Sequence, residues 1–397
     1  MVAAVFPPEP VVAANLYADL AKDLSKSFKV TVIRPYPTRP FGFKMPKNDF
    51  IDPAYNIITA DSFNSPKSTF LGRMKESWSF GKYTKNYIKK NYKEIDLIYN
   101  GAWPLFGKWF VAKTAKKYGI PFITVVQDIY PESITSKLPS IPGIKKLVNL
   151  TLMPIDRFIL KKSSGVHAIS PDMKNYLSKT RHLQDEKVFV VRNWQDHTKF
   201  GEVSTLPSKD NKVFTFMYLG NIGPLAGLEV VLDAMRLINQ DKYKFRVVIA
   251  GSGSVKENLR AKAKVLNILN IEFWDVPGGK VAETQDKADI MLLPVKRGFA
   301  KSSIPSKLPA YMFSARPILA SVDAGSDTAI SILLPEAGWV VEPENPEKVA
   351  VAMMKAMDTP IHILEQQGMN GREYAIKHFS KASNLCFLTG KVKEILN

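Results

Sequence analysis

The sequence predicts an α/β protein of two doubly wound parallel sheets, on three observations. Short runs of β-branched and aromatic residues recur along all 397 residues, most of them separated by room for a helix. These runs are apolar rather than alternating, as parallel strands covered on both faces must be. The length exceeds what one core organises and suits two domains of roughly 150–200 residues each.

In the first half the expected strands are Val2–Phe6, Val30–Ile33, Leu97–Tyr99, Phe122–Val126, Val166–Ile169 and Phe189–Val191. In the second half they are Phe214–Tyr218, Phe245–Ala250, Ile271–Trp274, Ile290–Leu293, Ile318–Ser321 and Trp339–Val341. The seam is expected near Asn193–Pro207, where FVV gives way to the polar NWQDHTKFGEVSTLPSKDNK. The domains are therefore expected at 1–197 and 198–371, both Rossmann-like. Open α/β sheets bind ligands at the carboxyl ends of their strands, which places the chemistry between the two domains. That inference gives a location and no reaction.

Composition excludes several classes. With 45% hydrophobic and 23% charged residues the chain is an ordinary globular one, neither disordered nor collagenous. No apolar run approaches the ~18–20 residues that span a bilayer, and MVAAVFPPEP lacks the pattern of a secretory signal. A single cysteine, Cys386, leaves no internal disulfide, and no Cys/His cluster offers a metal site. A reducing, cytoplasmic setting and no metal are expected.

Lys plus Arg exceed Asp plus Glu by 55 − 37 = 18. Residues 1–195 hold 30 basic and 15 acidic side chains, whereas residues 196–397 hold 25 and 22. The first half thus carries the field that attracts a polyanionic surface. Within it, residues 67–93 contain eight Lys/Arg and one acid among Phe70, Trp78, Phe80, Tyr83, Tyr87, Ile88 and Tyr92. Basic and aromatic residues at helical spacing fit a face resting on anionic lipid headgroups, with Trp78, Lys82, Lys85, Lys89 and Lys90 as the membrane-facing candidates. An ordinary solvated helix competes with that reading. No nucleic-acid-binding motif accompanies the patch, so no nucleic acid is expected. Ile144–Lys162, apolar nearly all round with lysines at both ends, reads as a buried helix with basic tips.

Three segments of the second domain carry candidate chemistry. Phe214–Tyr218 leads through Leu219-Gly220-Asn221-Ile222-Gly223 to the helical LEVVLDAM; a strand, a glycine turn and a helix start make an anion site, although many such turns are merely tight. Gly251-Ser252-Gly253-Ser254 follows a second strand, its serines suited to capping a helix. Lys296-Arg297-Gly298-Phe299-Ala300-Lys301-Ser302-Ser303-Ile304-Pro305-Ser306-Lys307 offers hydroxyls and cations to a diphosphate, Ser306 as donor and Lys307 as point charge.

In the first domain, Phe6-Pro7-Pro8-Glu9-Pro10 follows the first strand, and its prolines fix a loop from which Glu9 is expected to project into the cleft. Gln127-Asp128-Ile129-Tyr130-Pro131-Glu132 follows Phe122–Val126, making Asp128 and Glu132 candidate acceptors for hydroxyl groups, with helix capping as the competing role. His167, inside an apolar strand, reads as a satisfied core residue. No Ser/His/Asp triad, HExxH motif or Walker lysine is present.

Taken together, these segments resemble the retaining glycosyltransferases of family 4 with the GT-B fold, and among them the enzymes of colanic-acid and capsule or O-antigen assembly. The resemblance is carried by FPPEP at 6–10, VQDIYPES at 126–133, AISPDM at 168–173, VVRNW at 190–194, YLGNIGPLAGLE at 218–229, SIPSKLPAYMFSARPILAS at 303–321, AGWVVEPENPE at 337–347 and NGREYAIKHFS at 370–380, in order over essentially the whole chain.

The resemblance implies a nucleotide-sugar donor on the second domain and an acceptor on the first, with residues 372–397 crossing back to the first. It implies donor contacts from Gly220, Asn221, Gly223, Gly251, Gly253, Lys296, Arg297, Ser303, Ser306 and Lys307. Pro8, Glu9, Pro10, Asp128 and Glu132 fall on the acceptor side, and Asp128, Lys307 and Glu9 at the reacting centre. The chain departs from the family where many members carry an Arg and a Lys around the first glycine loop; Asn221 and Ala226 stand there. Ser302 and Ala310 replace the family's paired glutamates, leaving Lys296, Arg297 and Lys307 to supply the charge.

The expected reaction is sugar transfer with retention from a UDP-sugar, favoured over a GDP-sugar, to a polyprenyl-diphosphate-linked saccharide. No cofactor is expected, and the protein is expected peripherally at the inner face of the cytoplasmic membrane. A nucleotide-sugar 2-epimerase and a non-catalytic nucleotide-sugar-binding subunit are the alternatives.

Overall fold

A computed structural model describes residues 1–39, 50–65, 69–101, 105–135, 143–207, 213–299 and 304–397. The chain divides into two compact units, Met1–Val191 with Leu385–Asn397, and Arg192–Asn384.

The first unit runs β1 (Val2–Ala3), α1 (Val12–Leu24), β2 (Thr31–Pro35), β3 (Asn56–Ala60), α2 (Phe70–Asn91), β4 (Ile98–Gly101), α3 (Leu105–Tyr118), β5 (Phe122–Val126), α4 (Glu132–Thr135), α5 (Ile144–Lys162), β6 (Gly165–Ala168), α6 (Pro171–Arg181) and β7 (Val188–Val190). Its seven strands lie in the order β3-β2-β1-β4-β5-β6-β7, all parallel. Five of the six expected strands fall within a residue or two of their reading. β1 stops at Ala3 because the chain turns into the proline loop, where Arg34 donates to the Pro7 carbonyl. β3 was not expected: Asn56 and Thr59 interrupt its apolar residues, and it is a half-exposed edge strand with no continuous run to read.

α2 starts at the Thr69 cap, whose hydroxyl accepts from the Gly72 amide at 3.2 Å. α5 corrects the expectation of a buried helix. Only Asp156, Ile159 and Leu160 are buried, while Leu147 and Leu150 are 62% and 72% exposed, because the helix packs by one side only.

The second unit runs β8 (Phe214–Leu219), α7 (Glu229–Met235), β9 (Phe245–Ala250), α8 (Lys256–Val265), β10 (Ile271–Trp274), α9 (Val281–Gln285), β11 (Ile290–Pro294), α10 (Lys307–Phe313), β12 (Ile318–Ser321), α11 (Asp327–Leu333), β13 (Gly338–Val341), α12 (Pro346–Asp358) and α13 (Ile361–Phe379); α14 (Lys381–Leu396) starts here and belongs to the first unit from Leu385 onward. Its parallel strands lie in the order β10-β9-β8-β11-β12-β13. Successive residues of the central strands feed opposite cores. Phe216, Tyr218, Val247, Ile249, Ile290 and Leu292 pack on one face, and Met217, Leu219, Val248, Ala250, Met291 and Leu293 on the other. Each fully buried side chain of this kind contributes roughly 1.5–3 kcal/mol, which is why these runs read so plainly as strands.

α13 stays with the second unit. Gly368 packs on the Ala315 carbonyl, and Arg372 donates to the carbonyls of Phe313 and, at 2.8 Å, of Gly201. The part of the C-terminal segment that joins the first unit is Leu385–Asn397, held there by a Thr389 hydroxyl bond to Asp23 at 2.8 Å. It is shorter than the 372–397 anticipated, because the chain as far as Asn384 packs with the second unit. Among the described residues no helix is long and apolar enough to cross a membrane.

Candidate functional site

In the second unit the strand order reverses between β8 and β11, and the loops leaving their carboxyl ends meet there. The loop after β8 turns at Gly220, whose φ of +151° suits glycine. A Cβ at Gly220 would stand 2.5 Å from Lys307 Cε, so the lysine stem of α10 lies directly on this glycine. Its ammonium reaches over the Tyr218 ring, 5.3 Å from the centroid. Lys307 has no carboxylate partner among the described residues. Burial lowers its pKa from the ordinary lysine value. A partly desolvated cation without a counter-ion is the arrangement an incoming anion completes.

Two tyrosines that the motif reading passed over hold this corner. The Tyr311 hydroxyl accepts from the Leu219 amide at 2.9 Å and donates to the Leu219 carbonyl at 2.8 Å. The Tyr218 hydroxyl donates to the Asn221 carbonyl at 2.5 Å. Both read as apolar core residues in sequence, because their rings are in the core and only the hydroxyl works.

The loop amides alternate in use. Gly220 N–H donates to Ala250 O at 3.0 Å and Ile222 N–H to Ser252 O at 2.8 Å. The amides of Asn221 and Gly223 have no acceptor among the described residues, so they are the ones open to a phosphate. Gly251 and Gly253 have a different task from the one expected. A Cβ on either would strike the carbonyl of Gly220 or Ile222, so they allow the two glycine loops to pack backbone to backbone. Neither Ser252 nor Ser254 caps α8. Gly253→Ala should therefore cost about 1–3 kcal/mol of stability, read as a lower thermal midpoint, whereas Ser252→Ala should leave it unchanged.

Lys296 sits beside the first loop, its amide donating to Leu225 O at 3.2 Å and its Cγ 3.4 Å from where a Gly227 Cβ would be. Arg297, more than half exposed, is engaged by acids of the same unit in this arrangement. Its guanidinium donates to Glu342 at 3.0 Å and Pro343 O at 3.1 Å and lies 4.0 Å from Glu344. These acids follow β13, too far along the chain for local spacing to reveal. Ser306 is exposed, and its carbonyl accepts from Gln195 at 2.7 Å. Ser303 lies outside the described residues.

In the first unit, Asp128 stands exposed at the carboxyl end of β5 with no hydrogen-bond or ion-pair partner among the described residues. Behind it Lys108 is buried, its ammonium donating to Val125 O at 2.5 Å. Burial lowers the Lys108 pKa to about 8, against the opposing fields of Asp156 and Asp128.

Glu9 does not project from its loop. It is 3% exposed and turned inward, accepting from the amides of Thr38 at 2.7 Å and Arg39 at 3.0 Å, with the Arg39 guanidinium 3.8 Å away. Burial raises its pKa. The carboxylate is a clasp for the turn after β2, flanked by half-buried Pro8 and exposed Pro10. Glu132 is likewise engaged, in a fork with Arg181 at 2.7 Å on both oxygens and accepting from Tyr176 at 2.8 Å. His167 is a satisfied core residue, accepting from Tyr99 at 2.7 Å and donating to Val191 O at 2.9 Å.

On α2 the residues Leu71, Lys75, Trp78, Lys82, Lys85 and Lys89 fall at helical spacing on one exposed face, with Lys90 exposed beside them. Trp78 stacks on Trp109 at 6.3 Å and meets Phe106 edge-on at 5.5 Å, with Lys113 over Trp109 at 5.0 Å.

The description Glycosyltransferase Family 4 matches residues 13–199, and Glycosyl transferases group 1 matches residues 213–359. The chain thus joins a family 4 glycosyltransferase domain to a group 1 glycosyltransferase domain. A Pseudomonas aeruginosa protein named glycosyltransferase WbjE is 23% identical to this chain over 245 residues, 58% of each chain. WcaI of Escherichia coli (strain K12), named for colanic acid biosynthesis, is 26% identical over 241 residues, 58% of this chain and 57% of its own. The chain thus spans less than two thirds of the length of these relatives.

Among solved structures, Anabaena Alr3699/HepE in complex with UDP and glucose matches with a TM-score of 0.63 at 14% identity, over 99% of this chain and 98% of its own. WaaG, a glycosyltransferase involved in lipopolysaccharide biosynthesis, matches at 0.64 and 16% identity over all of both chains. The shared feature is the fold, two parallel-sheet α/β domains of the GT-B type.

Proposed function

We propose that this chain transfers a sugar from a UDP-sugar to a polyprenyl-diphosphate-linked saccharide in capsule, O-antigen or exopolysaccharide assembly, with retention at the anomeric carbon. The observation that carries the proposal is Lys307, a partly buried cation with no ion-pair partner among the described residues, its stem lying on Gly220 and its ammonium over Tyr218. With Arg297 held by Glu342, the charge of the leaving diphosphate falls to Lys307 and Lys296 and to the free amides of Asn221 and Gly223. The bond from the sugar to the diphosphate breaks as the acceptor oxygen bonds to the same face. The acceptor's proton passes to the departing phosphate oxygen, so no protein base is required. Asp128, exposed and free, orients an acceptor or sugar hydroxyl; Glu9 and Glu132 shape the loops around it. UDP is preferred because HepE, a fold relative, is known in complex with UDP and glucose.

Calorimetric titration with UDP, GDP and their sugar conjugates tests the donor. Binding of UDP but not GDP is expected, and no heat with either nucleotide would overturn the reading. The anomeric configuration of the product, read by NMR, tests retention.

The exposed stripe on α2 is the proposed seat on anionic lipid. Near such a surface each lysine is worth about 1 kcal/mol. Reversing Lys82, Lys85 and Lys89 to Glu should therefore weaken binding to phosphatidylserine vesicles by about 100-fold or more. Co-sedimentation reads this, and vesicle binding equal to that of the unaltered chain would remove the membrane from the proposal.

A further inference from the structure

The seven residues of α10 start at Lys307, and the rest of the helix is fastened at several points. Leu308–Phe313 are all buried. The Tyr311 hydroxyl is bonded to the Leu219 amide and carbonyl. At the far end the Phe313 carbonyl accepts from Arg372, and the Phe313 ring lies 5.5 Å from that of Phe200 and 6.0 Å from that of His197. The start is held differently. Ser306 is exposed, and its side chain makes no cap on the helix that follows. A helix of less than two turns has too few internal bonds to fix its own first residue. Among the described residues, one side-chain hydrogen bond reaches residues 304–307: Gln195 Nε2 donates to Ser306 O at 2.7 Å.

Gln195 is a firm anchor, because its backbone is gripped on both sides. Its amide donates to Phe379 O at 2.9 Å and its carbonyl accepts from the Lys381 amide at 2.9 Å, a parallel bridge to Ser380. The next residue, Asp196, is engaged locally, accepting from the Thr198 amide at 3.2 Å and the Thr198 hydroxyl at 2.7 Å. The segment 195–200 therefore meets α10 at both ends, by Gln195 at Ser306 and by His197 and Phe200 at Phe313. Core burial and ring contacts fix where the helix axis lies. They do little against unwinding of the first turn, the motion that would carry Lys307 off Gly220.

We infer that Gln195 is a positioning residue of the donor site: by holding the Ser306 carbonyl it keeps the first turn of α10, and with it Lys307, set over the Gly220 loop to meet a diphosphate. The inference rests on the role proposed above for Lys307. Gln195 itself touches no substrate. It acts on the fraction of molecules in which the lysine stands ready, and apparent affinity falls in proportion to that fraction. One hydrogen bond of this kind changes such a fraction by about 2–10-fold.

The test is calorimetric titration with UDP of the unaltered chain, Gln195→Met, Lys307→Met and the double variant. Methionine keeps the length of glutamine and removes the donor. Gln195→Met should weaken UDP binding by about fivefold and lower the thermal midpoint by no more than about 4 °C. In the Lys307→Met background the same change should cost less than about twofold, because the group it positions is gone. The affinity lost on raising the pH through the Lys307 titration should also be smaller in Gln195→Met, which a merely structural role would not produce. Unweakened UDP binding by Gln195→Met beside a weakened Lys307→Met overturns this inference alone. So does an equal loss from Gln195→Met with and without Lys307. Unweakened binding by Lys307→Met, or no heat with UDP in the unaltered chain, ends the role of Lys307 and this inference with it. Should Gln195→Met fail to fold, Gln195→Glu is read in the same cycle; its carboxylate only accepts, and its charge acts alike in both backgrounds.

Discussion

Replacing Lys307 by Met should lower kcat/KM for sugar transfer by about 10²–10³, the loss seen when one preorganised donor to a developing oxyanion is removed. The ground for expecting so large an effect is that the ammonium, apart from lying over the Tyr218 ring, has no hydrogen-bond or ion-pair partner among the described residues. Of the other cations in these described loops, Arg297 is engaged by Glu342 and Lys296 lies beside Gly227. UDP affinity should fall by about tenfold or more, since a hydrogen bond to a charged group is worth about 1.5–3 kcal/mol. The fold should not suffer. A partly desolvated, unpaired charge disfavours the free protein, so the neutral isostere should unfold at the same temperature or slightly higher.

The pH dependence has a definite sign. Burial depresses the Lys307 pKa, so the charged form that binds phosphate is complete at low pH and is lost as pH rises through that lowered value. UDP affinity should therefore weaken toward alkaline pH in the unaltered chain by a component that is missing in Lys307→Met. An unchanged kcat/KM, or the same alkaline weakening in both proteins, would displace Lys307 from the site.

Where the sequence reading succeeded and failed follows from the range of the interaction involved. Parallel strands buried on both faces announce themselves by uninterrupted apolar runs, and β5, β9, β10 and β12 came out at their observed limits. β3 did not, because an edge strand is only half buried and its Asn56 and Thr59 face no penalty. Lys307 was legible because its glycine partner lies in a recognisable turn and its own place at a helix start is local. Glu9, Glu132 and Arg297 lie in the loops the sequence points to, and each meets a counter-charge there that the sequence does not show. Each is a charged residue beside a ligand-binding strand end, where a carboxylate or guanidinium suits a substrate as well as a neighbour. What decides between the two is a counter-charge that the fold brings from 30 to 50 residues away: Arg39 for Glu9, Arg181 for Glu132, Glu342 for Arg297. The glycines of the second loop were likewise seen as ligand contacts when the crowding that requires them comes from the backbone of the first.

Arg181→Met should be the most destabilising single change in the first unit's polar interior. The guanidinium is fully buried at the end of α6 and spends its donors on three elements. Nε donates to Asp156 of α5 at 2.9 Å, NH1 and NH2 fork onto Glu132 of α4 at 2.7 Å, and NH2 also donates to Tyr130 O at 2.6 Å. Methionine fills much of the volume but leaves two carboxylates and a carbonyl facing an apolar side chain. Breaking a buried pair in this way costs about 3–5 kcal/mol, which for a unit of this size lowers the thermal midpoint by about 10 °C or more.

The acid dependence separates this cause from simple loss of packing. Burial works to raise the Glu132 carboxyl, and its bonds from Arg181 overcome that and hold it below the ordinary glutamate value. A depressed folded pKa contributes stability above the ordinary glutamate pKa and loses it as pH falls through the folded one. Without Arg181 the burial of Glu132 and Asp156 is opposed only by lesser partners, Tyr176 for the first and the field of Lys108 for the second, and both folded pKa values rise. The variant's deficit should then shrink as acidification protonates the two acids, so that its midpoint approaches that of the unaltered chain between pH 7.5 and 5. Adding Glu132→Gln and Asp156→Asn to Arg181→Met should recover part of the loss at pH 7.5 for the same reason. If the deficit is independent of pH and the triple variant is no better than the single one, the carboxylates are not what Arg181 restrains. The segment from Asp128 to Glu132 would then owe its position to packing alone.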